Sequence, residues 1–158
     1  MSTPNVIEYE LAPTIVVGVS GLFFSGMSPD FDGPTVIPQL WIQLMRNVGD
    51  DYDRVNWSVG VMSDAENGKM RYLAAMRLSD LNAQHDDMDV IDLPGGKYVA
   101  CEHVGSLDGL HKTTGWFYGE YLPTSNWKIR DGNHLEIYDE RFNPHSDDSV
   151  TLICAPVH

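Results

Sequence analysis

The chain has 158 residues, 42% hydrophobic and 21% charged, which suits one domain with its own core and excludes disorder of the whole chain. Ten Lys and Arg stand against 23 Asp and Glu, a formal charge of −13 at pH 7. A field of that sign repels phosphate backbones, so it argues against direct nucleic-acid binding. It suits a cationic ligand or a basic protein surface, although acidic residues also serve solubility alone.

Residues 6–22 predict a strand around the β-branched run Ile15-Val16-Val17-Gly18-Val19. A Gly/Pro/Asp-rich loop from Ser25 to Pro34 follows, after which Thr35 can cap a helix that holds Pro38 in its first turn. Ile37, Leu40, Trp41, Leu44, Met45 and Val48 repeat at helical spacing, and Gly49 ends the run. Two alternating segments, Trp57 to Met62 and Met70 to Met76, flank Asn67-Gly68 and predict a hairpin. The polar, acidic stretch 78–93, with Gln84-His85-Asp86-Asp87 inside it, predicts a solvated connector.

After Pro94-Gly95-Gly96 the pattern begins again. Tyr98 to Val104 predicts a strand ended by Gly105; Ser106 can cap a helix carrying Leu110, Phe117, Tyr118, Tyr121 and Leu122, ended by Pro123. His134 to Glu140 and Val150 to Val157 predict a second hairpin. Cys101 and Cys154 lie in apolar runs and read as reduced core residues of a cytoplasmic protein. No run has the length of a membrane span, and no basic-then-apolar leader opens the chain.

The expected fold is therefore α+β: a single domain over 1–158, with pseudo-repeats 6–77 and 94–157 joined by the acidic connector 78–93. Two β-α-β-β repeats forming one antiparallel sheet with both helices on one face bury both helix stripes, and the seam of the approximate two-fold is a natural groove for a ligand.

Alternation along the strand from His134 puts Leu135 and Ile137 on one face and Glu136, Tyr138 and Glu140 on the other. Turning the apolar pair toward the helices leaves Glu136 and Tyr138 on the groove face. In the first repeat the same logic turns Val59 and Val61 to the helices and leaves Gly60 and Met62 in the groove, the glycine making room for a ligand. Trp41, Tyr72, Trp116, Tyr118 and Tyr121 are candidate aromatic walls, since rings offer flat contact area and can hold a cation over their faces. Glu102 is a candidate second acid, and His103, on the opposite side of its strand, is read as structural. The six histidines lack metal-ligand spacing, and neither a Gly-x-Ser-x-Gly elbow nor a phosphate-cradling Gly-rich loop occurs, so no metal and no cofactor is expected.

Pro-Gly-Gly-x-Tyr at 94–98, Glu-His-x-Gly at 102–105, Leu-Glu-Ile-Tyr at 135–138 and Ala-Pro-Val at 155–157, set in duplicated β-α-β-β units, resemble the GyrI-like effector-binding domain, the ligand-sensing half of many AraC- and MerR-type regulators. The resemblance covers nearly the whole chain. It implies a pocket for lipophilic, often cationic molecules with an acid at its base, the position matched by Glu136. In hydrolytic relatives a Glu assists opening of a strained electrophile, so Glu136 as general acid/base with Tyr138 beside it is the alternative expectation. An acidic inhibitor of a basic protein such as a topoisomerase is a third. The helix-turn-helix of the regulators has no counterpart before the first strand, so DNA reading by that route is not expected, and the chain acts as monomer or homodimer.

Overall fold

Pro13 lacks the N–H that an unbroken ladder needs, and the first expected strand is two: β1 (Val6–Leu11) and β2 (Thr14–Phe24). The computed structural model describes residues 3–26, 28–82 and 87–158, so Gln84, His85 and Asp86 of the acidic run lie outside the described residues. The other strands are β3 (Ser58–Asp64), β4 (Lys69–Arg77), β5 (Asp89–Leu93), β6 (Gly96–Val104), β7 (His134–Tyr138) and β8 (Val150–Pro156). β1 pairs with β6, whereas β2 pairs with β4 and β5. The chain thus divides into a terminal unit, Met1–Ala12 with Gly95–His158, and a central unit, Pro13–Pro94. The opening strand belongs with the second half of the chain and not with the first repeat.

In the central unit the strands run β3-β4-β2-β5, each pair antiparallel. Asn67 and Gly68, at φ 61 and 75, make the turn between β3 and β4; positive φ is the reason Asn-Gly sits there. Helix α1 (Gly33–Val48) packs Leu40, Leu44 and Val48 against Val17, Phe23, Tyr72, Ala74 and Met76, and Gly49 ends it at φ 58 as expected. Its start differs from the sequence reading. Asp32, not Thr35, holds the cap position, and its carboxylate accepts from Phe24 N outside the helix. Pro34 takes the first-turn place, which leaves Pro38 inside the helix. A second short helix, α2, spans Asp50–Arg54.

The connector is also more structured than expected. Asp89–Leu93 forms β5 on the edge of this sheet, with Leu93 fully buried. Three apolar residues, Val90, Ile91 and Leu93, were outweighed in the sequence by their acidic surroundings.

In the terminal unit the order is β1-β6-β8-β7, again antiparallel throughout. Ser106 caps as expected, its hydroxyl accepting from Asp108 N at 3.2 Å. A 3-10 turn leads into α3 (Leu110–Trp116), which continues through a π turn, Phe117–Tyr121, into a last turn, Leu122–Thr124. Pro123 lies within that last turn instead of stopping the helix. Phe117 is fully buried against Val99, Cys101, Ile153, Ala155 and Val157, a burial worth about 1.5–3 kcal/mol. Among the described residues no helix is long and apolar enough to cross a membrane.

Candidate functional site

Register decides which residues face the helix in each unit. Directly opposed residues of an antiparallel pair project to the same side. Glu136 opposes Ile153, and Ile153 packs with Phe117. Glu136 therefore stands on the side of the sheet that carries α3, and alternation puts His134 and Tyr138 there too. Leu135 opposes Cys154 and Ile137 opposes Leu152, so the apolar pair turns to the other side. This reverses the expectation that Leu135 and Ile137 would meet the helix. The physical reason is that both residues are fully buried on their own side, so the apolar half of the alternation marks burial without marking the helix.

The helix side of the terminal unit is densely hydrogen-bonded. Tyr138 Oη donates to Glu136 Oε1 at 3.2 Å, and Glu136 is half-buried. Tyr118 Oη lies 2.7 Å from His134 Nδ1. Burial pushes the Tyr118 hydroxyl far above the ordinary tyrosine value, and Cys154, Glu136 and Cys101 add to the shift. Tyr118 thus keeps its proton, and the His134 tautomer sets which of the two donates in this bond.

The π turn brings three further rings together. Phe117 meets Tyr118 edge-on at 5.1 Å and stacks on Tyr121 at 5.8 Å, and Trp116 tilts against Tyr121 at 5.5 Å. Such turns widen a helix locally and occur often at binding sites. Trp127 Nε1 donates to Tyr121 Oη at 3.3 Å, and a shallow pocket of about 540 Å³ opens between Tyr121, Thr124, Ser125, Asn126 and Trp127.

Glu102 does not join this group. It opposes Leu152, on the side away from α3, where it accepts from Arg141 Nη1 at 2.8 Å and from Asn5 Nδ2. His103 is on the helix side, with Nδ1 at 2.7 Å from Thr113 Oγ1 and Nε2 at 2.8 Å from the Ser106 carbonyl. Both ring nitrogens are engaged by the start of the helix, which is a structural task.

The central unit shows the same reversal. Gly60 opposes Ala74 and Met62 opposes Tyr72, and both partners pack with α1, so Gly60 and Met62 are on the helix side while Val59 and Val61 face away. A Cβ at Gly60 would lie 2.0 Å from Tyr72 Oη. Trp41 Nε1 donates to the same hydroxyl at 3.1 Å, and Tyr72 is fully buried. The room expected over Gly60 is filled by the Tyr72 ring, and not left for a ligand.

The structure brings Glu136, Tyr138, Trp116, Tyr118 and Tyr121 into one unit, and Trp41, Tyr72, Met62 and Gly60 into the other. Sequence reasoning missed His134, although the alternation that singled out Glu136 and Tyr138 includes it. Among the described residues no group of three His, Cys, Asp or Glu is placed to hold a metal ion.

A protein-family profile described as the GyrI-like small molecule binding domain matches residues 6–158. Among solved structures, SAV2435 bound to tetraphenylphosphonium is 20% identical over 98% of this chain and 94% of that one, with a TM-score of 0.74. An integron cassette protein from the mobile metagenome of Vibrio cholerae is 15% identical over 97% and 95% of the two chains, with a TM-score of 0.68. The C-terminal domain of EcmrR is 16% identical over 99% of each chain, with a TM-score of 0.61. At these identities the likeness is one of fold. No curated protein matches this chain.

Proposed function

The chain belongs to the GyrI-like small molecule binding domain family, and we propose that its ligand is a hydrophobic cation, with Glu136 as the counter-charge. The observation that carries this reading is the half-buried Glu136 carboxylate on the helix side of the terminal unit, hydrogen-bonded by Tyr138. A carboxylate drawn partly out of water attracts a cation more strongly than an exposed one. Tyr118, Tyr121 and Trp116 supply ring faces, each able to contribute about 0.5–2 kcal/mol to a cation held within about 6 Å. On this reading Trp41, Tyr72 and Met62 give the central unit an apolar helix-side face without charge. The chain's charge of −13 adds long-range attraction for the same ligands. A structural relative, SAV2435, was solved bound to tetraphenylphosphonium, and that ion is a suitable probe.

Calorimetric titration of tetraphenylphosphonium into wild type and Glu136→Gln tests the reading. Removing the charge while keeping the shape is expected to weaken binding about ten- to a hundredfold, the range for a charge-assisted contact. Equal affinities would show that Glu136 is not the counter-charge.

A further inference from the structure

The end of the second helical run forms a concave site apart from Glu136. Tyr121, Thr124, Ser125, Asn126 and Trp127 line the pocket of about 540 Å³, within the range of about 300–1,000 Å³ usual for small-molecule sites. Ile129, two residues after Trp127, bridges to Val157. Val157 is four residues, about 13 Å of extended chain, from Ile153, the residue that opposes Glu136.

The pocket is built by the protein's own hydrogen bonds. Ser125 Oγ donates to the Leu122 carbonyl at 2.8 Å and accepts from Trp127 N at 3.3 Å, and Thr124 Oγ1 donates to the Glu120 carbonyl at 2.9 Å. These bonds fix the turn that carries Asn126. Half-buried Trp127 packs against the core and donates through Nε1 to Tyr121 Oη at 3.3 Å. An indole N–H can only donate, so the Tyr121 oxygen accepts and its own proton is left over. Among the described residues no acceptor takes that proton, and the exposed Asn126 side-chain amide has no protein partner either.

None of the five lining side chains carries a charge, so an ion entering here would lose water without gaining a counter-charge. The pocket offers aromatic surface from Trp127 and Tyr121, one hydroxyl donor, and an amide that both donates and accepts. A sugar ring presents the matching chemistry, with C–H groups on its face and hydroxyls around its edge. Because the pocket is shallow, the outer hydroxyls stay in water, whereas a hydrocarbon ring would leave apolar surface exposed there. We propose that this pocket is a second binding site, for a neutral pyranoside, with Trp127 against the face of the sugar and Tyr121 and Asn126 hydrogen-bonding its hydroxyls.

The test follows the Trp127 indole N–H resonance by heteronuclear NMR, assigned through Trp127→Phe, during titration with methyl glucopyranoside, galactopyranoside and mannopyranoside. At least one of these is expected to shift the signal saturably, with a Kd in the millimolar range. Sorbitol, which has the hydroxyls without the ring, is expected not to. Asn126→Ala changes an exposed position and keeps the indole reporter; it is expected to weaken the binding about three- to tenfold, the loss of a neutral hydrogen bond. Trp127→Ala is expected to abolish saturation transfer from the protein to the sugar. No saturable shift with any of these pyranosides overturns the inference, as does a shift that sorbitol reproduces or that Asn126→Ala leaves at full affinity.

Discussion

The two units solve the same packing problem with different side chains at matching rungs. In the central unit the helix-side positions are Gly60 and Met62 on β3, opposed by Ala74 and Tyr72. In the terminal unit they are Glu136 and Tyr138 on β7, with Glu136 opposed by Ile153. The central unit closes its face: a missing Cβ admits a buried tyrosine, which the Trp41 indole holds by its hydroxyl. The terminal unit spreads polar groups over the same positions, with a carboxylate, a histidine and two tyrosines joined in pairs. One repeat is committed to packing, and on the proposed reading its partner carries the chemistry. Duplication leaves one copy free to hold the core while the other departs from it.

The largest effect on stability should come from the committed repeat. Gly60→Ala places a methyl 2.0 Å from the Tyr72 hydroxyl and 2.4 Å from the ring carbon bearing it, and a fully buried ring has little freedom to retreat. Denaturant unfolding should show a loss of about 1–3 kcal/mol, the usual cost of overpacking. Glu136→Ala on the matching rung should cost clearly less, and if it cost more the division of labour between the repeats would be wrong.

Alkaline pH should also lower the stability of the terminal unit. Burial raises Cys101 to about 11, with Glu102 adding to the shift, and raises Cys154 further; burial likewise raises Tyr118 and Tyr98. All four lie in the terminal unit; in the central unit burial raises Tyr52. A folded-state pKa above the unfolded value means that the unfolded chain releases its proton first. Stability is therefore unaffected below about pH 9 and falls as pH rises toward 11. Thiol labelling should be slow at pH 8, since both cysteines are buried and protonated, and should accelerate steeply above pH 9. Fast labelling at pH 8 would contradict the burial that places them in the core.

The smallest effect should follow Glu102→Gln. Its partner Arg141 is 40% exposed, and such pairs contribute about 0–1 kcal/mol. Stability should drop by no more than that, and tetraphenylphosphonium affinity should change less than about twofold, because Glu102 is on the far side of the sheet from Glu136.

Much of the fold was legible because local chemistry was decisive. Asn67-Gly68 specifies its turn, Gly49 ends α1, and Ser106 starts the second helical run. Pro13 was an equally clear signal, passed over because apolar residues continue on both sides of it. The faces of the sheet were not legible. Alternation separates two sets of side chains but says which set meets the helix only when the other set meets water. Here Leu135, Ile137, Val59 and Val61 are buried on the side away from the helices, so the pattern identified Glu136 and Tyr138 as a pair while assigning them to the wrong layer. The π turn hid the rest: helical spacing of 3.6 groups Phe117 with Tyr121 but does not bring Tyr118 over His134.

A crystal structure of the chain with tetraphenylphosphonium tests the central claim most directly. The account predicts the phosphonium centre on the helix side of the terminal unit, facing the Glu136 carboxylate, with at least one ring of Trp116, Tyr118 or Tyr121 within about 6 Å of it. An ion bound instead beside Glu102 and Arg141, on the opposite face of the sheet, would contradict it.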